Sequence, residues 1–359
     1  MREGRTLQAL AVELQRQRNA QQDYLGDTRD ISLQPRRVEA GVFETDLVMG
    51  GIDDAEPLEV SRFAHGQLAS HTGMPKAHYD RLREASPRLH ADEVNFWLRK
   101  EPAVRMVRTM DGKVRAFLSN SYRQIDNADL AEAVLPALED LGAEVKSCEV
   151  TDQRFYLKAV TDRVQGEVAE GDIVQAGIVV SNSEVGCGAL LVEEFALRLV
   201  CLNGMISQVA QRRTHLGRRS DLGALGNATE FWKDETRRQS DRALFMQIRD
   251  SVAAIFDAER FAGRVAEYRR AAEDKIPAAT TVPVMEAIGK RLDLSEGEKD
   301  GVLGHLIAGG DLSRWGVANA VTRFAEDASD YDRATEFERM GGAVIELPPT
   351  DWERLARSN

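Results

Sequence analysis

The feature that most restricts the fold is the dipeptide Asp111-Gly112, set between two runs of strand character, Val104-Arg-Met-Val-Arg-Thr-Met110 and Lys113-Val-Arg-Ala-Phe-Leu-Ser119. A two-residue turn with positive φ at both central positions matches the twist of antiparallel strands, and Asp-Gly adopts it readily. Apolar segments at 143–150, 153–161, 172–181 and 188–201 read as further strands, the last also open to a helix over Phe195-Ala-Leu-Arg-Leu-Val-Cys201. Asn127 caps a helix through Leu141, kinked at Pro136 and closed by Gly142. Beyond about residue 228 the apolar spacing becomes helical, over 229–256, 258–274, 282–292, 296–308 and 314–328. The expected fold is α+β, an antiparallel sheet with packed helices followed by a mostly helical C-terminal region. The expected division is an N-terminal helical arm at 1–35 carrying Leu7, Leu10 and Leu14, an α+β core at 36–227, and a helical region at 228–359.

A chain of 359 residues can bury a core without covalent staples. Cys148, Cys187 and Cys201 are odd in number and form no C-x-x-C pair, which points to a reducing compartment and to buried small side chains. The N-terminus has no apolar signal-peptide core, and no run approaches the ~18 apolar residues needed to span a bilayer. A cytoplasmic protein with no membrane partner is expected. The net charge of −12 argues against a binder that coats itself in nucleic acid, because the summed field repels phosphate. The charge is uneven, however. From Trp97 to Arg123, seven basic residues face only Glu101 and Asp111, and from Arg198 to Arg219 five arginines occur with no carboxylate.

Ser61 to Leu82 imitates a helix-turn-helix, with Ala69 small at the contact, Gly73 in the turn and Pro75 at a first helical position. Lys76, His78 and Arg81 would be its readers, although plain helical packing explains the pattern as well. His65, His71 and His78 lack the four-residue spacing that would set two imidazoles on one helix face, and they read as surface or capping residues.

Four segments together resemble the DUF932 family of phage- and plasmid-associated proteins: Arg115-Ala-Phe-Leu-Ser-Asn-Ser-Tyr-Arg-Gln-Ile-Asp-Asn127, Gly177-Ile-Val-Val-Ser-Asn-Ser-Glu-Val-Gly-Cys-Gly188, Leu199-Val-Cys-Leu-Asn-Gly-Met205 and Trp315-Gly-Val-Ala-Asn-Ala-Val-Thr322. The resemblance covers most of residues 23–352. It implies a phage, prophage or plasmid setting and little chemistry; a link to phage single-strand annealing recombinases is an analogy of setting and of the hairpin-plus-helix pattern.

The residues themselves favour phosphate contacts from Arg105, Arg108, Lys113, Arg115, Arg123, Arg198, Arg212, Arg213, Arg218 and Arg219, with Tyr122 stacking a base. Phe117, Phe155 and Tyr156 read as core. Ser181, Asn182, Ser183, Glu184 and Gly186, between two apolar strands, form a candidate binding loop whose glycines admit close backbone approach, or else a tight connection. Asn203, before Gly204, is a candidate functional amide or a turn. Arg198 in an apolar segment needs an anionic partner, with Glu184 and Glu193 expected first. No nucleotide-binding loop, nucleophile elbow or zinc-binding helix is present, so no catalytic residue, cofactor or metal is assigned. The expected function is nucleic-acid binding, with single-stranded DNA favoured. The alternatives are a non-enzymatic homo-oligomeric assembly protein and a cryptic metal-dependent nuclease.

Overall fold

The computed structural model describes residues 1–39, 42–50, 56–215 and 234–356, with the backbone alone at residue 42 and at 234–238. The expected α+β architecture is present as two sheets, with most of the helices in the C-terminal half. Helix α1, Leu7–Ala20, starts where the Thr6 side chain accepts a hydrogen bond from the Ala9 amide (3.2 Å), and it buries Leu10 and Leu14. The arm expected at 1–35 is helical only in part. After α1 it continues into strands β1, Gln21–Asp27, and β2, Ile31–Glu39, which become the two edges of the first sheet.

That sheet has six strands. β3, Val42–Met49, and β4, Leu58–Val60, follow β2, and the hairpin of β5, Val104–Met110, and β6, Lys113–Ser119, completes the order β1-β5-β6-β4-β3-β2, in which only the β4–β6 pair is parallel. Asp111 and Gly112 have φ of 52° and 72°, as the hairpin turn requires. Helices α2, Arg62–His71, α3, Lys76–Ala85, and α4, Pro87–Lys100, intervene and cover one face. Their core joins Leu68, Val94 and Leu98 to Leu33, Leu47, Val107, Val114 and Phe117. The α2–α3 corner turns at Gly73 (φ 67°), as the helix-turn-helix pattern suggested. Two of its expected readers are engaged within the protein: Lys76 pairs with Asp80, and His78 lies 3.4 Å from Glu93.

The second sheet is an antiparallel meander, β11-β10-β9-β8-β7, of β7, Glu144–Val150, β8, Phe155–Glu167, β9, Ile173–Asn182, β10, Leu190–Arg198, and β11, Asn203–Arg213. Alternation places Leu157, Ile178, Val180 and Val192 in a core shared with α1 and with helix α5, Asn127–Asp140. Lys158, Val179 and Glu193 point the other way. The C-terminal helices are α6, Asp234–Ile255, α7, Ala258–Glu273, α8, Thr281–Arg291, α9, Glu296–Gly309, α10, Arg314–Arg323, α11, Tyr331–Ile345, and α12, Pro349–Ala356. Of these, α11 meets Lys158 and Glu193 through Glu338 and Arg339. Among the described residues no helix is long and apolar enough to cross a membrane.

Candidate functional site at the sheet junction

The two sheets meet through the segment Ser181 to Gly188, and nearly every polar atom of that segment is committed to the protein. The Asn182 side-chain amide donates to the Ile125 carbonyl and to Asn127 Oδ1, both at 2.8 Å. Ser183 Oγ donates to the Gln153 carbonyl (2.8 Å) and accepts from the Cys187 amide (2.9 Å). Glu184 is 5% exposed and accepts from the Asn127 amide (2.7 Å) and from Arg115 (3.2 Å). Ser181 is buried, with Arg339 at 3.3 Å. A Cβ at Gly186 would stand 2.6 Å from Leu118, and one at Gly188 would stand 2.3 Å from the Arg154 guanidinium. The glycines thus admit the protein's own side chains, and the segment acts first as a connection between sheets.

Most of the arginines expected to contact phosphate are likewise engaged within the protein. Arg108 is 1% exposed and bonds Asp23 (2.8 Å), Asp126 (2.8 Å) and the Glu184 carbonyl (2.9 Å). Burial opposes its charge and the carboxylates more than restore it, so its pKa rises. Arg115 is the extra residue of a bulge in β6, because Arg108 pairs with Ala116 and Thr109 with Val114. The bulge turns its guanidinium toward Glu184 and breaks the basic strip that strict alternation would have made. Arg123 pairs with Asp241, and Lys113 with Glu59 at 2.9 Å. Arg198 forks onto Asp172 at 2.5 and 2.9 Å, rather than onto Glu184 or Glu193. Arg105 has no carboxylate among the described residues; it donates to His71 Nδ1 (2.5 Å) and lies over Phe117, half-buried. Asn203 is 2% exposed and bonds Asn319 and Thr322, tying β11 to α10 as part of a strand rather than a turn.

Arg212 and Arg213 differ from this set. They end β11 opposite Leu191 and Leu190, both are exposed, and neither side chain has a hydrogen bond or ion pair to a described residue. Residues 211–213 are therefore strand, not a loop or a helix end, while Arg218 and Arg219 lie outside the described residues. Arg212 borders a cavity of about 300 Å³ at the junction, lined also by Leu118, Ser119, Tyr122, Gly186, Gly188, Ala189, Thr214 and His215. Tyr122 is 8% exposed, its hydroxyl donates to the Ser183 carbonyl (2.8 Å), and its ring stacks on His215 with centroids 5.0 Å apart and planes 7° from parallel. The face expected to take a base is filled by an imidazole.

That imidazole, unmarked in the sequence, carries the one buried side-chain atom without a hydrogen-bond partner among the described residues lining the cavity. His215 Nδ1 lies 3.0 Å from the Arg123 carbonyl, which can only accept, so the proton resides on Nδ1. Burial pulls the His215 pKa down, which keeps the ring neutral and leaves Nε2 as a bare acceptor with no partner. No group of three His, Cys, Asp or Glu among the described residues is placed to hold a metal ion. No protein-family model matches this sequence, and comparisons with curated proteins and with solved structures returned no match.

Proposed function

We propose that the protein binds a single strand of nucleic acid where β11 passes the sheet junction, with phosphates on Arg212 and Arg213 and a base edge entering the junction cavity. The observation that carries this reading is the exposure of those two arginines without a counter-ion among the described residues, beside a cavity bordered by Tyr122 and His215. A volume of about 300 Å³ suits one planar ring system. In the setting that the DUF932 resemblance implies, the strand is single-stranded DNA of a phage or plasmid.

This is a narrower interface than the sequence suggests, and it predicts a shallower salt response. Two phosphate contacts on a single strand give a slope of about −1.4 in log K against log salt, and four, if Arg218 and Arg219 join, about −2.8. Fluorescence anisotropy with a labelled oligonucleotide across a salt series measures this slope. Arg212→Glu with Arg213→Glu should abolish binding while leaving unfolding unchanged. Unaltered binding by that double variant, or no binding by the native chain at low salt, overturns the proposal.

One observation favours the assembly alternative. β11 is a sheet edge, and Gln208, Val209 and Ala210 are exposed in succession along it, a surface on which a second strand can pair. Light scattering without nucleic acid separates the two readings, because a concentration-dependent oligomer lacking oligonucleotide affinity supports assembly.

A further inference from the structure

A second cavity bordered by a buried histidine lies on the other half of the molecule, at the face of the six-stranded sheet that α2 and α3 cover. Its volume is about 440 Å³, and Phe43, Thr45, Ser61, Arg62, His65 and Arg83 are among its walls. It opens beside the N-terminus of α2, a ten-residue helix with no acidic residue in its first turn, where the Ser61 side chain caps the Ala64 amide (3.1 Å). The amides of that first turn precede any intrahelical acceptor.

Several donors around this cavity make no hydrogen bond to a described residue. His65 is 2% exposed, and its Nδ1 is 2.8 Å from the hydroxyl of Tyr79, which is itself fully buried. Burial drives the His65 pKa down to about 3 and raises that of Tyr79, so a neutral imidazole faces a protonated phenol. The phenol has no other acceptor among the described residues. Its proton must therefore go to Nδ1, and the imidazole proton must sit on Nε2, which makes no bond to any described residue. Arg83 has a buried Nε without an acceptor, and neither Arg83 nor the exposed Arg62 forms an ion pair with a described residue, although the Asp80 carboxylate, paired with Lys76, is near enough for Arg83 to lower its pKa. Of the wall carboxylates, Glu59 is held by Lys113 (2.9 Å) and Glu44 by Arg36 (3.5 Å), which leaves Glu84 at the rim.

We propose that this cavity binds the terminal phosphate of a nucleotide, with Arg62, Arg83, the His65 Nε2–H and the α2 N-terminus around the phosphate. Phe43, 46% exposed, offers its ring to the nucleoside. The dianion supplies the acceptors these donors lack, and the volume exceeds what an inorganic anion fills. The same chemistry is presented by a free nucleoside monophosphate and by the 5′ end of a strand.

Calorimetric titration of the full chain with adenosine monophosphate, adenosine, inorganic phosphate, and a 5′-phosphorylated or 5′-hydroxyl oligonucleotide tests this. The monophosphate should bind and adenosine should not; a charged donor to phosphate is worth at least about tenfold in affinity, so Arg83→Met and Arg62→Met should each weaken the monophosphate by that factor or more. Arg62 is exposed and has no ion pair to a described residue, so its variant keeps the test valid should Arg83→Met fail to fold. A phosphorylated strand binding more tightly than the free nucleotide identifies the strand end as the ligand, and the reverse identifies the nucleotide. Equal binding of adenosine and its monophosphate, no binding of any phosphate, or unchanged affinity in Arg62→Met overturns the proposal. The Arg212→Glu, Arg213→Glu double variant should retain monophosphate binding, which keeps this outcome separate from that of the strand-binding site.

Discussion

At the scale of single residues, the chain's most demanding interaction is the pair of Lys158 and Glu338. Both side chains are wholly buried, Nζ lies 2.5 Å from Oε2 and 3.2 Å from Thr335 Oγ1, and the ammonium sits 4.6 Å from the centre of the Tyr331 ring. Desolvation pulls the Lys158 pKa down and Glu338 opposes it. Removing one member strands the other in a dry interior, at a cost of about 3–5 kcal/mol, whereas replacing both with apolar groups of similar volume can be close to neutral. Glu338→Gln and Lys158→Met should each lower the urea midpoint strongly, and Lys158→Met with Glu338→Leu should recover most of the loss. Additive losses in the double variant would show that the pair is not coupled. Pairing of this kind is what the sequence conceals. The sign of Arg108 is readable, but Asp23 lies 85 residues away and Glu184 lies 76 away, so nothing local announces that its charge is already spent. The histidines misread in the opposite sense: His65, expected at the surface, is buried because α3 and α4 bring Tyr79 and His90 against it, with ring centroids 5.7 and 6.0 Å away.

Among elements, legibility follows how local the determinant is. The β5–β6 hairpin is written in two residues, and α5 in a polar start and a glycine stop, although Asp126 rather than Asn127 holds the N-cap position. β11 was hidden because its outer half, Gln208 to Arg213, carries no apolar alternation; it is a strand because β10 templates it, and it leaves a turn at Leu202 with φ of 50°. Its inner half is fixed by α11, whose Gly342 lies so near the Ile206 carbonyl that an added Cβ would stand 1.8 Å from the oxygen. Gly342→Ala must therefore push α11 off β11, and overpacking of this kind costs about 1–3 kcal/mol. Gly304→Ala is the matched control, since nothing lies within 4 Å of its Cβ position in α9; there the substitution should stabilise by about 0.5–1 kcal/mol through chain entropy and helix propensity. Chemical denaturation of the two variants checks both signs, and a Gly342→Ala protein as stable as the native chain would contradict the close packing of α11.

For the whole molecule, the two halves differ in how they store protonation energy, and this gives them different responses to acid. His65, His71 and His90 all belong to the six-stranded half, and burial depresses them to about 3, 4 and 4 from an ordinary value of 6.5. Between those limits the unfolded chain binds more protons than the folded one, so this contribution is fully present above pH 6.5 and is lost progressively as the pH falls toward 4. Glu298, held near 2 by Arg333 and by its capping box with Ser295, behaves differently: its contribution is intact above 4.5 and fades only as the pH drops toward 2. The first acid-induced loss of stability should therefore fall between pH 6.5 and 4.5 and should be largest in the half that carries the three imidazoles, with the buried His215 at the junction adding to it. Hydrogen exchange corrected for intrinsic rates reads it directly, with protection at pH 5 falling in β2, β5 and β6 before it falls in β8 and β9. Uniform loss, or loss that begins in the meander, would mean that the imidazoles are not the groups that set acid stability. The same neutral histidines also link this behaviour to binding. A phosphate that keeps His65 as a hydrogen-bond donor should protect the six-stranded half in that pH window, and a strand bound along β11 should not.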